Sequence, residues 1–140
     1  IFKPKRRVIS TIYSEFLYAS FSYDGNYVAA LGVVKQDDPS VRVIHGIIWD
    51  VQIFQSYKED NYKPKCVIVL PSDVTKISIE NKLICTSGKN HLSFWYIYEN
   101  SVKEFKTQIK NLDLNKNYVD HEWLQLKVPT LAAITEERDL

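Results

Sequence analysis

Asp120-His121-Glu122 is the one place in this chain where an imidazole stands between two carboxylates. Those are the residue types that acid–base catalysis or a bound metal ion would use. On a strand, however, successive side chains alternate faces. His121 and Trp123 then point one way, and Asp120 and Glu122 the other, so the three groups cannot converge on one ion without a bulge. The expected role of His121 is a packed, hydrogen-bonded residue inside a sheet. His45, His91, Cys66 and Cys85 show neither Cys-x-x-Cys nor His-x-x-x-His spacing, which argues against a zinc site. Only four glycines are present, with no Gly-x-Gly-x-x-Gly, no Gly-Lys-Ser/Thr and no Gly-x-Ser-x-Gly. A glycine loop for phosphates and a nucleophile elbow are thereby excluded at the level of motif. The expectation is no catalytic residue, no metal and no cofactor.

Two further sets remain. Trp49 and Trp95 would suit stacking on bases or sugars. Each closes an apolar strand, Ile47-Ile48-Trp49-Asp50 and Leu92-Ser93-Phe94-Trp95, and the two are 46 residues apart. A Trp-Asp pair at that kind of interval is a repeat signature of β-propeller blades. Trp49 and Trp95 therefore read as internal packing residues rather than as a platform. Lys3, Lys5, Arg6 and Arg7 form the single local charge signal. They are candidate contacts for an acidic partner, such as the acidic surface of a microtubule.

The elements that position these residues are short. Nine Tyr, six Phe and three Trp, with many Val and Ile, favour strands. Phe16–Phe21 and Tyr27–Gly32 flank Asp24-Gly25, a hairpin turn that needs a positive φ. Val41–Val51 and Cys66–Leu70 follow, separated by a polar loop over 56–65. Val74–Ile79, Leu83–Ser87, His91–Tyr98 and Val102–Ile109 then repeat the pattern, with turns at 80–82, 88–90 and 99–101. Tyr118–Leu124 and Leu131–Thr135 begin a third unit. Turns every eight to twelve residues or so, with no sustained helical period, are all-β spacing. Phe21, Ile79 and Trp123 fall at equivalent first-strand positions. The fold class expected is all-β: a partial WD-repeat β-propeller with about two complete four-stranded blades and half-blades at each end. Residues 1–15 read as a basic connector with the outer strand of a preceding blade, 16–71 and 72–110 as blades, and 111–140 as the first half of another.

A hydrophobic fraction of 45% with 25% charged residues is globular and argues against disorder. A net charge of +1 gives no whole-chain field toward nucleic acid. No run reaches the roughly 18 apolar residues of a membrane helix, and no signal peptide is visible, so neither nucleic acid nor membrane is expected as a partner. Cys66 and Cys85 each lie in an apolar run and read as buried free thiols in a reducing, cytoplasmic setting. The chain begins at Ile1 and contains no Met, which reads as a segment of a longer polypeptide. Closed propellers need about four to eight blades, so the segment is expected not to fold stably alone.

The ordered run Lys5-Arg6-Arg7-Val8-Ile9, Phe21-Ser22-Tyr23-Asp24-Gly25-Asn26-Tyr27-Val28-Ala29-Ala30, Ile47-Ile48-Trp49-Asp50, Thr86-Ser87-Gly88-Lys89-Asn90 and His121-Glu122-Trp123-Leu124 resembles the WD-repeat propellers of axonemal proteins. It is similar to the cilia- and flagella-associated protein 57 family over about residues 5–135. Tyr23 stands where that pattern has proline, Tyr96 rather than Asp follows Trp95, and Lys127-Val128-Pro129 replaces a short acidic turn. The acidic residue that usually buttresses the tryptophan through a Ser/Thr and a His is represented only by Asn90 with Thr86 or Ser87. The resemblance implies a non-enzymatic scaffold of the ciliary axoneme and cytoskeleton. It would help anchor or regulate inner dynein arms on doublet microtubules, with other axonemal proteins, tubulin and inner dynein arm components as partners. A coiled coil would follow in the full-length protein. On this reading Trp49, Asp50, Trp95, His121 and Trp123 are structural. A cytosolic WD-repeat adaptor unrelated to cilia is the alternative.

Overall fold

The computed structural model describes residues 12–38, 40–51, 64–99, 101–105, 116–124 and 130–136. The basic residues Lys3, Lys5, Arg6 and Arg7, most of the 56–65 loop, the end of the strand expected to Ile109, the 111–115 loop and Lys127-Val128-Pro129 lie outside them. Every named element is a strand, so the all-β expectation holds. The strands are β1 (Tyr13–Phe21), β2 (Tyr27–Val34), β3 (Ile44–Asp50), β4 (Cys66–Leu70), β5 (Val74–Glu80), β6 (Leu83–Gly88), β7 (His91–Tyr98), β8 (Ser101–Phe105), β9 (Tyr118–Leu124) and β10 (Thr130–Thr135). They form two four-stranded sheets, β1-β2-β3-β4 and β5-β6-β7-β8, and a two-stranded sheet of β9 and β10. All pairings are antiparallel between sequence neighbours.

Turn chemistry fixes the hairpins. Gly25 has φ of +74°, a conformation that glycine adopts without the cost a Cβ would bring. Around it the Ser22 hydroxyl donates to Asp24 Oδ1 at 2.6 Å, and the Asn26 amide donates to the same oxygen at 2.9 Å. Among the described residues, Asn81, Asn90 and Glu99 also have positive φ. Several boundaries differ from the sequence reading, two of them by three residues: the strand expected from Val41 starts at Ile44, and β1 starts earlier than expected. Tyr13–Glu15, assigned there to the preceding outer strand, begin β1. Tyr13 is held in place by Gly32 on β2: a Cβ at Gly32 would sit 2.8 Å from the Tyr13 ring. The ring also meets His45 on β3 edge-on, with Tyr13 Oη 3.1 Å from His45 Nδ1.

The repeat is visible in the register. Phe21 pairs with Val28, Ile79 with Ile84 and Trp123 with Leu131. Each partner is the second residue of its own strand. One strand further, Trp49 lies opposite Val28 and Trp95 opposite Ile84. The three sheets thus carry one register.

The sheets stack face to face. β1 and β2 lie against β5, and β9 lies against β5 and β6. Between the first two sheets Leu31, Ile44, Ile48, Ile68 and Leu70 meet Val74, Ile77, Ile84 and Ile97. Between the second and third, Cys85, Leu92 and Phe94 meet Tyr118, with Phe105, Trp123 and Leu131 packed around them. Alternation on β6 supplies both: Ile84 faces one interface and Cys85 the other, and Ile84-Cys85-Thr86-Ser87 is buried throughout. On the outer strand β4 only one face is covered, so Cys66, Ile68 and Leu70 point in while Val67 and Val69 are exposed. Trp49 and Trp95 are half-buried rather than enclosed.

Ile77 is fully buried in the first interface, and its carbonyl accepts the Ser20 hydroxyl from β1 at 3.2 Å. In the intact protein, Ile77→Ala is expected to cost about 2–5 kcal/mol of stability by denaturant unfolding. Val69→Ala on the exposed face should stay within about 0.5 kcal/mol of the parent. Equal effects at the two positions would contradict this packing.

Candidate functional site

Three first strands, β1, β5 and β9, converge on a cavity of about 200 Å³. Tyr18, Ser20, Phe21 and Tyr23 line it from β1 and its turn, Lys76, Ser78, Ile79 and Glu80 from β5, and Glu122 and Trp123 from β9. Strand alternation explains the polar part of the β5 contribution. Lys76, Ser78 and Glu80 share one face, while Ile77 and Ile79 occupy the other.

Lys76 gathers the charges. Its Nζ lies 2.5 Å from Asp120 Oδ1, 3.5 Å from Glu122 Oε2 and 5.5 Å from the Tyr18 ring centroid. Burial alone would lower the ammonium, but the Asp120 hydrogen bond and the neighbouring Tyr18, Asp120 and Glu122 side chains raise it on balance. Asp120 is held below the usual carboxylate range by the Lys76 hydrogen bond, with help from the His121 amide, which donates to it at 2.8 Å. Both carboxylates are well exposed, so each ion pair contributes about 0–1 kcal/mol.

His121 faces the opposite way. It is 1% exposed, with Nε2 at 2.5 Å from Ser78 Oγ and Nδ1 at 2.6 Å from Ser87 Oγ. A neutral imidazole has one donor and one acceptor, so it donates to one serine and accepts from the other. Burial, aided by the Lys76 charge and opposed by Asp120, pushes its pKa down to about 4. The ring is therefore neutral near pH 7 and ties β9 to both β5 and β6. The Asp120 carboxylate takes the His121 backbone amide, not the ring, so Ser78, His121 and Asp120 do not form a Ser–His–Asp relay.

A second chain of hydrogen bonds crosses the second sheet. Trp95 Nε1 donates to Thr86 Oγ1 at 3.1 Å, and Thr86 Oγ1 lies 2.8 Å from His91 Nε2. Of the two hydroxyls the sequence offered, Thr86 thus serves the tryptophan and Ser87 serves His121. Asn90 supplies the positive-φ turn between β6 and β7. In the first sheet Ala30 occupies the place of Thr86. His45, four residues before Trp49 as His91 is before Trp95, turns instead to Tyr13. A recurring His-x-x-x-Trp was the sequence signal for this pair, and the polar alternation Lys76-x-Ser78-x-Glu80 was the signal for the cavity wall.

Asp50 ends β3 opposite Tyr27. Trp123 is half-buried opposite Leu131, and its Nε1 is buried with no hydrogen-bond partner among the described residues. Cys66 and Cys85 are free and buried, and burial raises both thiols, Cys66 to about 11. Both are protonated and poorly reactive at neutral pH. Among the described residues, no group of three His, Cys, Asp or Glu side chains could hold a metal ion.

Because unfolded His121 titrates near 6.5 and folded His121 near 4, the unfolded state binds the extra proton between those values. His121 then contributes its full stability above about pH 6.5 and loses it as pH falls toward 4, by about 3 kcal/mol in all. Denaturant unfolding of the intact protein between pH 7 and 4 should show this loss, and His121→Asn should flatten it. An unchanged pH slope in the variant would contradict the assignment.

Comparison of the chain with protein-family profiles, with curated proteins and with solved structures finds no match to any of them.

Proposed function

We propose that the chain is part of a WD-repeat β-propeller in a non-enzymatic scaffold of the ciliary axoneme, as its resemblance to the cilia- and flagella-associated protein 57 family implies. Strands β1–β4 and β5–β8 are two blades, the first starting at Tyr13 rather than residue 16; the outer strand of the blade before falls ahead of Tyr13, and 111–140 opens the blade after. The observation that carries this reading is the common register. Two successive four-stranded antiparallel sheets place Trp49 and Trp95 at the same point, and a third sheet starts in that register. The Trp95–Thr86–His91 hydrogen bonds add the kind of buttress that such a blade uses. A scaffolding role fits His121, which is engaged on both nitrogens by serines and is too weak a base to move protons near neutrality.

Stacked blades form a rigid body whose loops are free to meet partners. The partners proposed are other axonemal proteins, tubulin and inner dynein arm components, with Lys3, Lys5, Arg6 and Arg7 meeting an acidic microtubule surface. The test is fluorescence microscopy of the tagged intact protein in ciliated cells. Signal along the axoneme is expected. A purely cytosolic signal with none in cilia would overturn the axonemal reading and favour a WD-repeat adaptor of another assembly.

A further inference from the structure

Gly25 is the one glycine of the chain that follows an aspartate, and no glycine follows an asparagine. Aspartyl-glycine is the dipeptide at which a chain most readily attacks itself, because no Cβ on the glycine hinders its amide nitrogen. The Gly25 nitrogen would bond to Asp24 Cγ and close a five-membered imide. One water leaves, made of the carboxyl hydroxyl and the amide proton. Water then adds to one or other imide carbonyl. Opening at the first restores aspartate. Opening at the second gives isoaspartate, in which the main chain runs through the side-chain carboxyl carbon and is one atom longer.

Sequence and exposure favour this reaction at Asp24. Tyr23, Asp24, Gly25 and Asn26 are the exposed tip of the β1–β2 hairpin. A Cβ at Gly25 would meet nothing within 4 Å beyond its chain neighbours, so the turn is uncrowded. Exposed tips of this kind are where a chain is least protected.

The hydrogen bonds act the other way. The Gly25 amide donates to the Ser22 carbonyl at 2.9 Å, an acceptor that cannot carry off the proton the attack must remove. Asp24 Oδ1 accepts from the Ser22 hydroxyl at 2.6 Å and from the Asn26 amide at 2.9 Å, which fixes the carboxyl group in place. The same two bonds, Ser22 first, hold Asp24 below the usual carboxylate range. It therefore stays ionised, and the carbon of a carboxylate is a poorer electrophile than that of the acid. Ser22 is itself anchored, at 3% exposure. Its Oγ accepts from the Tyr27 amide at 3.0 Å, and its own amide donates to the Tyr27 carbonyl at 2.9 Å. One buried serine thus holds both reacting groups, the nitrogen through its carbonyl and the carboxylate through its hydroxyl.

We propose that Asp24-Gly25 is a site of self-modification to isoaspartate that the Ser22 hydroxyl holds closed in the folded chain. Release would add a backbone atom at the centre of the turn, beside the Phe21–Val28 pair that ends the β1–β2 ladder. The inference depends on the turn alone and stands whether or not the axonemal reading does.

The test ages the intact protein at neutral pH and body temperature, beside a synthetic peptide of residues 21–28, and measures isoaspartate at position 24 by mass-spectrometric peptide mapping. The parent is expected to isomerise about tenfold or more slowly than the peptide. Ser22→Ala, shown to be folded by its thermal melt, should isomerise about tenfold or more faster than the parent, as loss of one hydrogen bond to a charged group implies. If that variant does not fold, Ser22→Cys takes its place with the same direction expected, because a thiol is a weak donor. Ile77→Val, which loosens the core away from the turn, should leave the rate unchanged. A parent as fast as the peptide, a peptide that forms no isoaspartate, or a Ser22 variant no faster than the parent would overturn the proposal. So would equal acceleration in Ile77→Val, which would make general unfolding the route.

Discussion

Burial of both faces of the second sheet is the constraint from which the rest follows. A sheet with one wet face can alternate apolar and polar residues, as β4 does. β6 cannot, because the first sheet covers Ile84 while β9 and β10 cover the side of Cys85. Any polar group placed there must find a partner inside the protein. Ser78, Thr86 and Ser87 are such groups, and they meet His121, His91 and Trp95. His121 is therefore best understood as a consequence of stacking, because its one ring satisfies a hydroxyl on β5 and another on β6.

The same stacking creates the cavity. First strands that lie side by side at the edge of their sheets present the ends of β1, β5 and β9 to a shared space. Lys76 reaches across it to carboxylates on β9, a second link between the second and third sheets beside the Ser78–His121 bond. The two devices differ in kind. The imidazole is dry and depends on pH through its own titration, whereas the ion pairs are wet and yield to salt.

Strand positions were largely legible in the sequence. Cys66–Leu70, His91–Tyr98 and Tyr118–Leu124 carry their boundaries in the turn residues beside them, and Asp24-Gly25 announces its hairpin. The start of β1 was not legible, because the reason Tyr13 belongs to it is the missing Cβ of Gly32, a contact made across the sheet. The strand alternation that separates His121 from Asp120 and Glu122 follows from period two alone. Their partners do not: Ser78 and Ser87 lie 43 and 34 residues away, and nothing local to His121 points to them. The half-burial of the two tryptophans was likewise out of reach: Trp95 packs against the core between the first two sheets, whereas Trp49 stands on the face of β3 opposite Ile48.

If the three sheets are successive blades, β1, β5 and β9 are the innermost strands of a ring, and the cavity among them is one sector of its central channel. The most direct measurement is an experimental structure of the intact protein at a resolution that traces strands. The proposed propeller predicts a closed ring with β1, β5 and β9 around the axis and further blades on the open faces of the first and third sheets. An open stack of sheets, or a ring with β4 and β8 innermost, would contradict it.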